Sequence, residues 1–372
     1  MQFIDLGAQQ KRIREKLESN IGKVMDHGRY INGPEVSELE ERLADYVKVK
    51  HAVGCSSGTD ALLMPLMAYG VGQGDAVFTT TFTFIASAEV IQLLQATPVF
   101  VDIDPATFNI DTKKLAQAIE KTKAEGKLNP RGIIPVDLFG QPADYDEIAG
   151  IAKEHGLFVL EDAAQGFGGV YRGSKACSFG DAAATSFFPA KPLGCYGDGG
   201  MVFTNDDELY RKMISIRVHG KGTDKYDNVR VGLNGRLDTI QAAILLAKFE
   251  IFEEELQMRQ EVAARYSEGL KPAVGTPLVK DHNLSAWAQY SVLHQDRDKV
   301  TGGLKSRGIP TAVYYSKPLH MQTAFASLGY SEGDFPEAES AAGRIFSLPM
   351  HPYLGTEEQD GIISSVREIS GG

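Results

Sequence analysis

Short apolar segments alternate with helical patterns from residue 76 to residue 204, and this constrains the fold more than any other feature of the chain. Segments 76–80, 98–103, 132–136 and 157–160 read as strands, and 84–95, 115–122 and 144–154 between them read as helices. Strands this short and continuously apolar must be covered on both faces, which predicts a large, mostly parallel sheet flanked by helices. Ligands of such sheets bind beyond the carboxyl ends of the strands. Asp162, the turn Ser57-Gly58-Thr59 and the segment 186–191 all fall at such ends.

The flanks fit the same plan. Residues 10–48 read as helical, with Val36, Leu39, Leu43 and Tyr46 at helical spacing after the turn Asn32-Gly33-Pro34. Segment 201–204 reads as a strand and 207–217 as a helix. A single long helix over 239–270 is expected to act as a spine between two domains: 1–245, a large α/β domain, and 246–372, a small α+β domain. The latter is expected to hold strands at 288–294 and 311–315 and a helix at 299–307.

Charge and cysteine content narrow the function. A formal net charge of −11 over 372 residues argues against nucleic acid and anionic membrane as partners. No stretch approaches the roughly 18 apolar residues of a membrane span, and no leader pattern opens the chain, so a cytoplasmic home is expected. The three cysteines form no CxxC and the eight histidines no HxxxH, so no metal site is expected.

The segment Ser186-Phe187-Phe188-Pro189-Ala190-Lys191-Pro192-Leu193-Gly194-Cys195-Tyr196-Gly197-Asp198-Gly199-Gly200 delivers one lysine amid apolar side chains, followed by closely spaced glycines. Desolvation lowers a lysine pKa and frees the amine for Schiff-base chemistry; a solvated loop lysine is the plain alternative. Asp162 reads either as a helix cap or as a carboxylate set against a cationic ring. Ser57, Gly58 and Thr59 read as a helix N-cap or as a phosphate turn, and Phe84 as core or as a stacking ring. One cofactor unites them, pyridoxal 5′-phosphate: its aldehyde needs a lysine, its pyridine nitrogen a carboxylate, its phosphate backbone donors and hydroxyls such as Ser186.

Four stretches in order, Thr81-Phe82-Thr83-Phe84-Ile85-Ala86-Ser87, Glu161-Asp162-Ala163-Ala164-Gln165, Ser186-Phe187-Phe188-Pro189-Ala190-Lys191 and Gly232-Leu233-Asn234-Gly235-Arg236-Leu237, resemble the DegT/StrS-type nucleotide-sugar aminotransferases. The resemblance implies the aspartate aminotransferase (type I) fold and a homodimer with shared active sites. It further implies that Lys191 binds the cofactor aldehyde and Asp162 pairs with the ring nitrogen. By the same resemblance Gln165 is expected near the phenolic oxygen and Phe84 against the ring face. It likewise implies that Gly58, Thr59 and Ser186 hold the phosphate, with Asn234 reaching in from the partner subunit.

The lysine neighbourhood, with Arg230 to Thr239 and Phe252-Glu253-Glu254-Glu255, is similar to members that aminate carbon 3 of UDP-2-acetamido-2-deoxy-3-oxo-glucuronate, with glutamate as donor, for bacterial surface polysaccharide (lipopolysaccharide O-antigen). Arg236 then suits the sugar carboxylate, or fixes the dimer interface. Arg29 and Tyr30 are expected to line the entrance, and Tyr314, Tyr315 and His320 to face substrate; structural hydrogen bonding is the other reading of His320. Gly235 and Ala190 depart from many relatives, which carry an aromatic and a serine there. Amination of a 4-keto sugar or a cyclitol is the rival reading. Deoxygenating relatives carry histidine at the lysine position, and a regulatory relative is expected to lack Lys191 or Asp162.

Overall fold

The computed structural model describes residues 1–224 and 226–371. Three helices open the chain: α1 (Leu6–Arg12), α2 (Arg14–His27) and α3 (Pro34–Val47). The proline stands at the start of α3, where its missing N–H costs nothing, and Leu39, Leu43 and Val47 bury one face. Then follow β1 (His51–Cys55), α4 (Gly58–Ala68), β2 (Asp75–Thr80), α5 (Ala86–Leu93), β3 (Thr97–Val101), α6 (Thr112–Glu125), β4 (Asn129–Ile134), α7 (Tyr145–His155) and β5 (Phe158–Asp162). A short hairpin, β6 (Val170–Tyr171) and β7 (Ser174–Lys175), precedes β8 (Ala182–Ser186), β9 (Gly200–Thr204) and α8 (Asp207–Ile216).

The main sheet has seven strands in the order β1-β9-β8-β5-β4-β2-β3. The pairs from β8 through β5, β4 and β2 to β3 are parallel, while β9 runs antiparallel to both neighbours. Helix α3 packs on one face with Phe167, Phe203 and Leu245, and α4 and α5 on the other with Val77 and Val202. Because β9 is reversed, the carboxyl ends of β1, β2, β4, β5 and β8 point the same way, and Asp162, the turn Ser57-Gly58-Thr59 and Ser186 stand at these ends.

The expected spine is two helices. α9 (Thr239–Phe249) ends at Glu250, and α10 (Phe252–Leu270) starts afresh after Ile251. Lys248 in the last turn of α9 and Glu253, Glu254 and Glu255 in the first turn of α10 complement the two helix dipoles at the break. The remainder holds β10 (Asn283–Leu284), paired with β6, then β11 (Tyr290–Leu293), α11 (Arg297–Ser306), α12 (Pro336–Arg344), β12 (Ile345–Leu348) and α13 (Thr356–Ser370). Strands β11 and β12 pair antiparallel over a cluster containing Tyr266, Val300, Phe346 and Ile362. Segment 311–315 is not the strand expected: it makes one bridge, Ala312 to Ser347, then turns toward the sheet. Among the described residues no helix is long and apolar enough to cross a membrane.

Asp102, 3% exposed just past β3, fastens α12 to the sheet. Its carboxylate accepts the α12 amides of Ala338 (2.9 Å) and Glu337 (3.2 Å), and the Lys114 ammonium at 2.8 Å. Asp102→Ala removes a helix cap and strands a lysine, so a loss of about 2 kcal/mol is expected in urea unfolding; a change within about 0.5 kcal/mol contradicts this role.

Candidate active site

Strand β8 ends at Ser186, and the chain then passes Pro189 into the turn that holds Lys191. The loop then closes on itself: the amide of Lys191 donates to the Phe188 carbonyl at 2.9 Å, that of Cys195 to Phe187 at 2.8 Å, and that of Phe187 to Gly199 at 2.8 Å. Lys191 keeps part of its surface open to the cleft, yet the surrounding protein lowers its pKa by desolvation, with the charge of Asp162 acting in the opposite sense.

Asp162 closes β5 beside Ala184 of β8. Burial raises its pKa, opposed by a 2.7 Å hydrogen bond from Ser87 Oγ, by the amide of Ala164 and by the charge of Lys191. A carboxylate so placed favours a cation in front of it. Ser87 stands in the first turn of α5, so its bond to Asp162 ties that helix to the end of β5, a contact no local pattern discloses. Behind Asp162 lie two further buried carboxyls, Asp137 and Glu161, both pushed upward by burial and, for Glu161, by the neighbouring Asp137. The Asp137 amide donates to the Asp162 carbonyl at 3.0 Å. Gln165 accepts from the Phe139 amide (2.7 Å) and donates to the Tyr315 hydroxyl (3.2 Å), so the turned segment that replaced the expected strand reaches the site.

Sheet register builds a cradle beside this pair. Gly200 of β9 pairs with Cys55 on one side and Ser186 on the other, drawing the turn after β1 against the end of β8. A Cβ on Gly58 would come within 2.6 Å of the Ser186 Cβ, so only glycine permits this approach. Ser57 caps α4, its Oγ accepting the Asp60 amide at 3.1 Å, and Thr59 follows in the first turn, leaving this helix start turned to Ser186. Phe84 is 55% exposed, whereas Phe82 fills the core. The lowered amine, the buried carboxylate and the glycine-lined helix start fit a flat aromatic aldehyde phosphate.

Other expected residues lie apart. Asn234 and Arg236 line a separate cavity of about 450 Å³ with Ile31, Ser56, Gly197, Asp198, Asp238 and Gln241. Arg236 donates to Asn234 Oδ1 at 2.5 Å, while its buried Nε has no partner among the described residues. Arg29 and Tyr30 are exposed on the connection bridging Ile31 to Asp238, next to this cavity. Tyr314 is half-buried between Phe3 and Tyr315.

His320 makes the structural hydrogen bonds that were the other reading of it. It is 2% exposed, and both ring nitrogens are engaged within the chain, Nδ1 with Thr81 Oγ1 at 2.8 Å and Nε2 with Glu339 at 3.0 Å. The Glu339 carboxylate accepts from Nε2–H, and in the neutral ring, which burial favours, Nδ1 accepts the Thr81 hydroxyl proton. His320 ties the Tyr315 segment to the end of β2.

With this geometry in hand, comparison with known proteins is specific. The model of the DegT/DnrJ/EryC1/StrS aminotransferase family matches residues 11–367. The chain is 51% identical over 358 residues to the UDP-2-acetamido-2-deoxy-3-oxo-D-glucuronate aminotransferase of Pseudomonas aeruginosa, covering 96% of each. It is similar to the solved DegT DnrJ EryC1 StrS aminotransferase from Brucella abortus, with a TM-score of 0.98 at 53% identity over the whole of both chains. A third similar structure is NtdA from Bacillus subtilis with its cofactor PMP bound, with a TM-score of 0.88 at 28% identity over 100% of this chain and 83% of that one.

The His320 contacts carry a pH signature. Burial lowers its pKa in the folded chain below the ordinary 6.5, with Glu339 opposing. The unfolded chain therefore takes up the proton first, and stability from neutral His320 is complete above pH 6.5 and drains away as pH falls below it. His320→Asn should flatten the pH dependence of urea unfolding between about pH 6.5 and 5; an unchanged slope contradicts the neutral ring.

Proposed function

Because this chain belongs to the DegT/DnrJ/EryC1/StrS aminotransferase family, we propose that it moves an amino group from glutamate to carbon 3 of UDP-2-acetamido-2-deoxy-3-oxo-glucuronate. It is a pyridoxal-phosphate-dependent sugar aminotransferase of that family's fold, and its substrate is a UDP-linked keto sugar. One observation carries the active-site reading: the half-buried Lys191, on the loop after β8, lies within electrostatic reach of the buried Asp162 at the end of the neighbouring strand β5.

When bound, pyridoxal phosphate supplies an aldehyde that condenses with amines and a ring that takes up the electron pair released with the α-proton. Lys191 would hold the aldehyde at rest. Its amine, whose pKa burial lowers, would also serve as the base and acid that move the proton of the substrate α-carbon. Asp162, steadied by Ser87, would keep the ring nitrogen protonated. Ser57, Gly58, Thr59 and Ser186 would hold the phosphate, Gln165 the phenolic oxygen, and Phe84 one ring face.

Asn234 and Arg236 stand in their own cavity, which supports a homodimer in which each serves the site of a second copy. Arg236 would there meet the sugar carboxylate, with Arg29, Tyr30 and Tyr314 along the entrance and Tyr315 beside Gln165. The three buried, unpaired cysteines suit the reducing cytoplasm, and the aminated sugar suits surface polysaccharide assembly.

Lys191→Ala should abolish turnover, and Asp162→Asn should lower kcat at least about 100-fold. Pyridoxamine-loaded enzyme should convert the 3-keto uronate and not 4-keto UDP-sugars; conversion of the 4-keto sugar alone overturns the substrate. Arg236→Ala should raise KM for the uronate about tenfold or more while sparing glutamate; equal loss for an uncharged 3-keto sugar removes its carboxylate role.

A further inference from the structure

The loop that carries Lys191 hangs from one face of α9 by two side chains, two helical turns apart. Gln241 accepts the Tyr196 amide at 2.9 Å and donates back to the Tyr196 carbonyl at 3.2 Å. Lys248 donates from Nζ to the Gly194 carbonyl at 2.6 Å, with its ammonium 4.3 Å from the centroid of the Tyr196 ring. Lys248 is 1% exposed, and a lysine is almost never so enclosed without partners. It faces the Cys195 thiol and Tyr196 of the loop and Glu255 of α10, whose carboxylate is itself bonded to Gln9 and Tyr353. Burial brings its pKa down to about 8, so it is largely a cation at neutral pH.

We infer that Lys248 is a positioning residue for Lys191, acting through the carbonyl of Gly194. The route is continuous contact. A Cβ on Gly194 would come within 2.6 Å of the Pro189 carbonyl oxygen and 2.7 Å of that of Phe188, so the two limbs of the loop touch backbone to backbone. The Phe188 carbonyl in turn takes the amide of Lys191 at 2.9 Å. A shift of Gly194 therefore displaces the backbone that carries the Lys191 amine. A side chain needed only to fill space could be replaced by methionine, which matches the lysine stem but leaves the Gly194 carbonyl unpaired.

The inference rests on Lys191 being the cofactor lysine, and the experiment separates the two. Lys248→Met, Tyr196→Leu and Lys191→Ala are loaded with pyridoxal phosphate. The visible absorbance of bound cofactor is titrated against pH, and its loss is timed after dilution. Lys248→Met should release cofactor about tenfold faster and move the titration midpoint by at least about half a unit. Tyr196→Leu, which keeps the hydrogen bond, should move both the same way by less. Wild-type midpoint and release in Lys248→Met overturn the role; if that variant does not fold, wild-type values in both Tyr196→Leu and Gln241→Leu overturn it. A wild-type titration in Lys191→Ala refutes the reading of Lys191 instead.

Discussion

The structure depends on two opposite groups being sunk together at the carboxyl edge of the sheet. Burial lowers the pKa of Lys191 and raises that of Asp162, and each opposes the shift in the other. In water neither group is chemically distinctive. Here the amine is readied as a nucleophile and the carboxylate is left in want of a cation, two demands that a pyridine aldehyde meets at opposite ends of one ring. Neither demand survives if the strands that hold them separate.

Much of the fold serves that closeness. Adjacent parallel strands β5 and β8 put Asp162 beside Ala184 and lead β8 into the loop that carries Lys191, and antiparallel β9 threads between β8 and β1 so that Gly200 touches both. Its register brings the start of α4 against Ser186, closing the cradle at Gly58. From the other side, Thr81, His320 and Asp102 moor the C-terminal segment so that Tyr315 reaches Gln165. The site is assembled from five strand ends, and its stiffness comes from hydrogen bonds between elements far apart in sequence.

That dispersal decides what could be read from the chain. The alternation of strands and helices was legible because period and composition are local, and so was the lysine between proline and glycines. The reversal of β9 was not, since an apolar strand reads alike in either direction. The break at Glu250 was visible only as a change of charge sign between Lys248 and Glu253, masked by apolar spacing that runs on through it. The expected strand at 311–315 has the right residues, but after a single bridge it is drawn off toward the site. Ser87 on Asp162 and Glu339 on His320 were hidden altogether: a buried polar side chain takes its meaning from a partner that only tertiary structure supplies.

The most direct test of this account is to reduce cofactor-loaded enzyme with borohydride and map the labelled peptide by mass spectrometry. The account predicts one phosphopyridoxyl group per chain, on Lys191. Label on another lysine, or none at all in a folded and saturated sample, contradicts it.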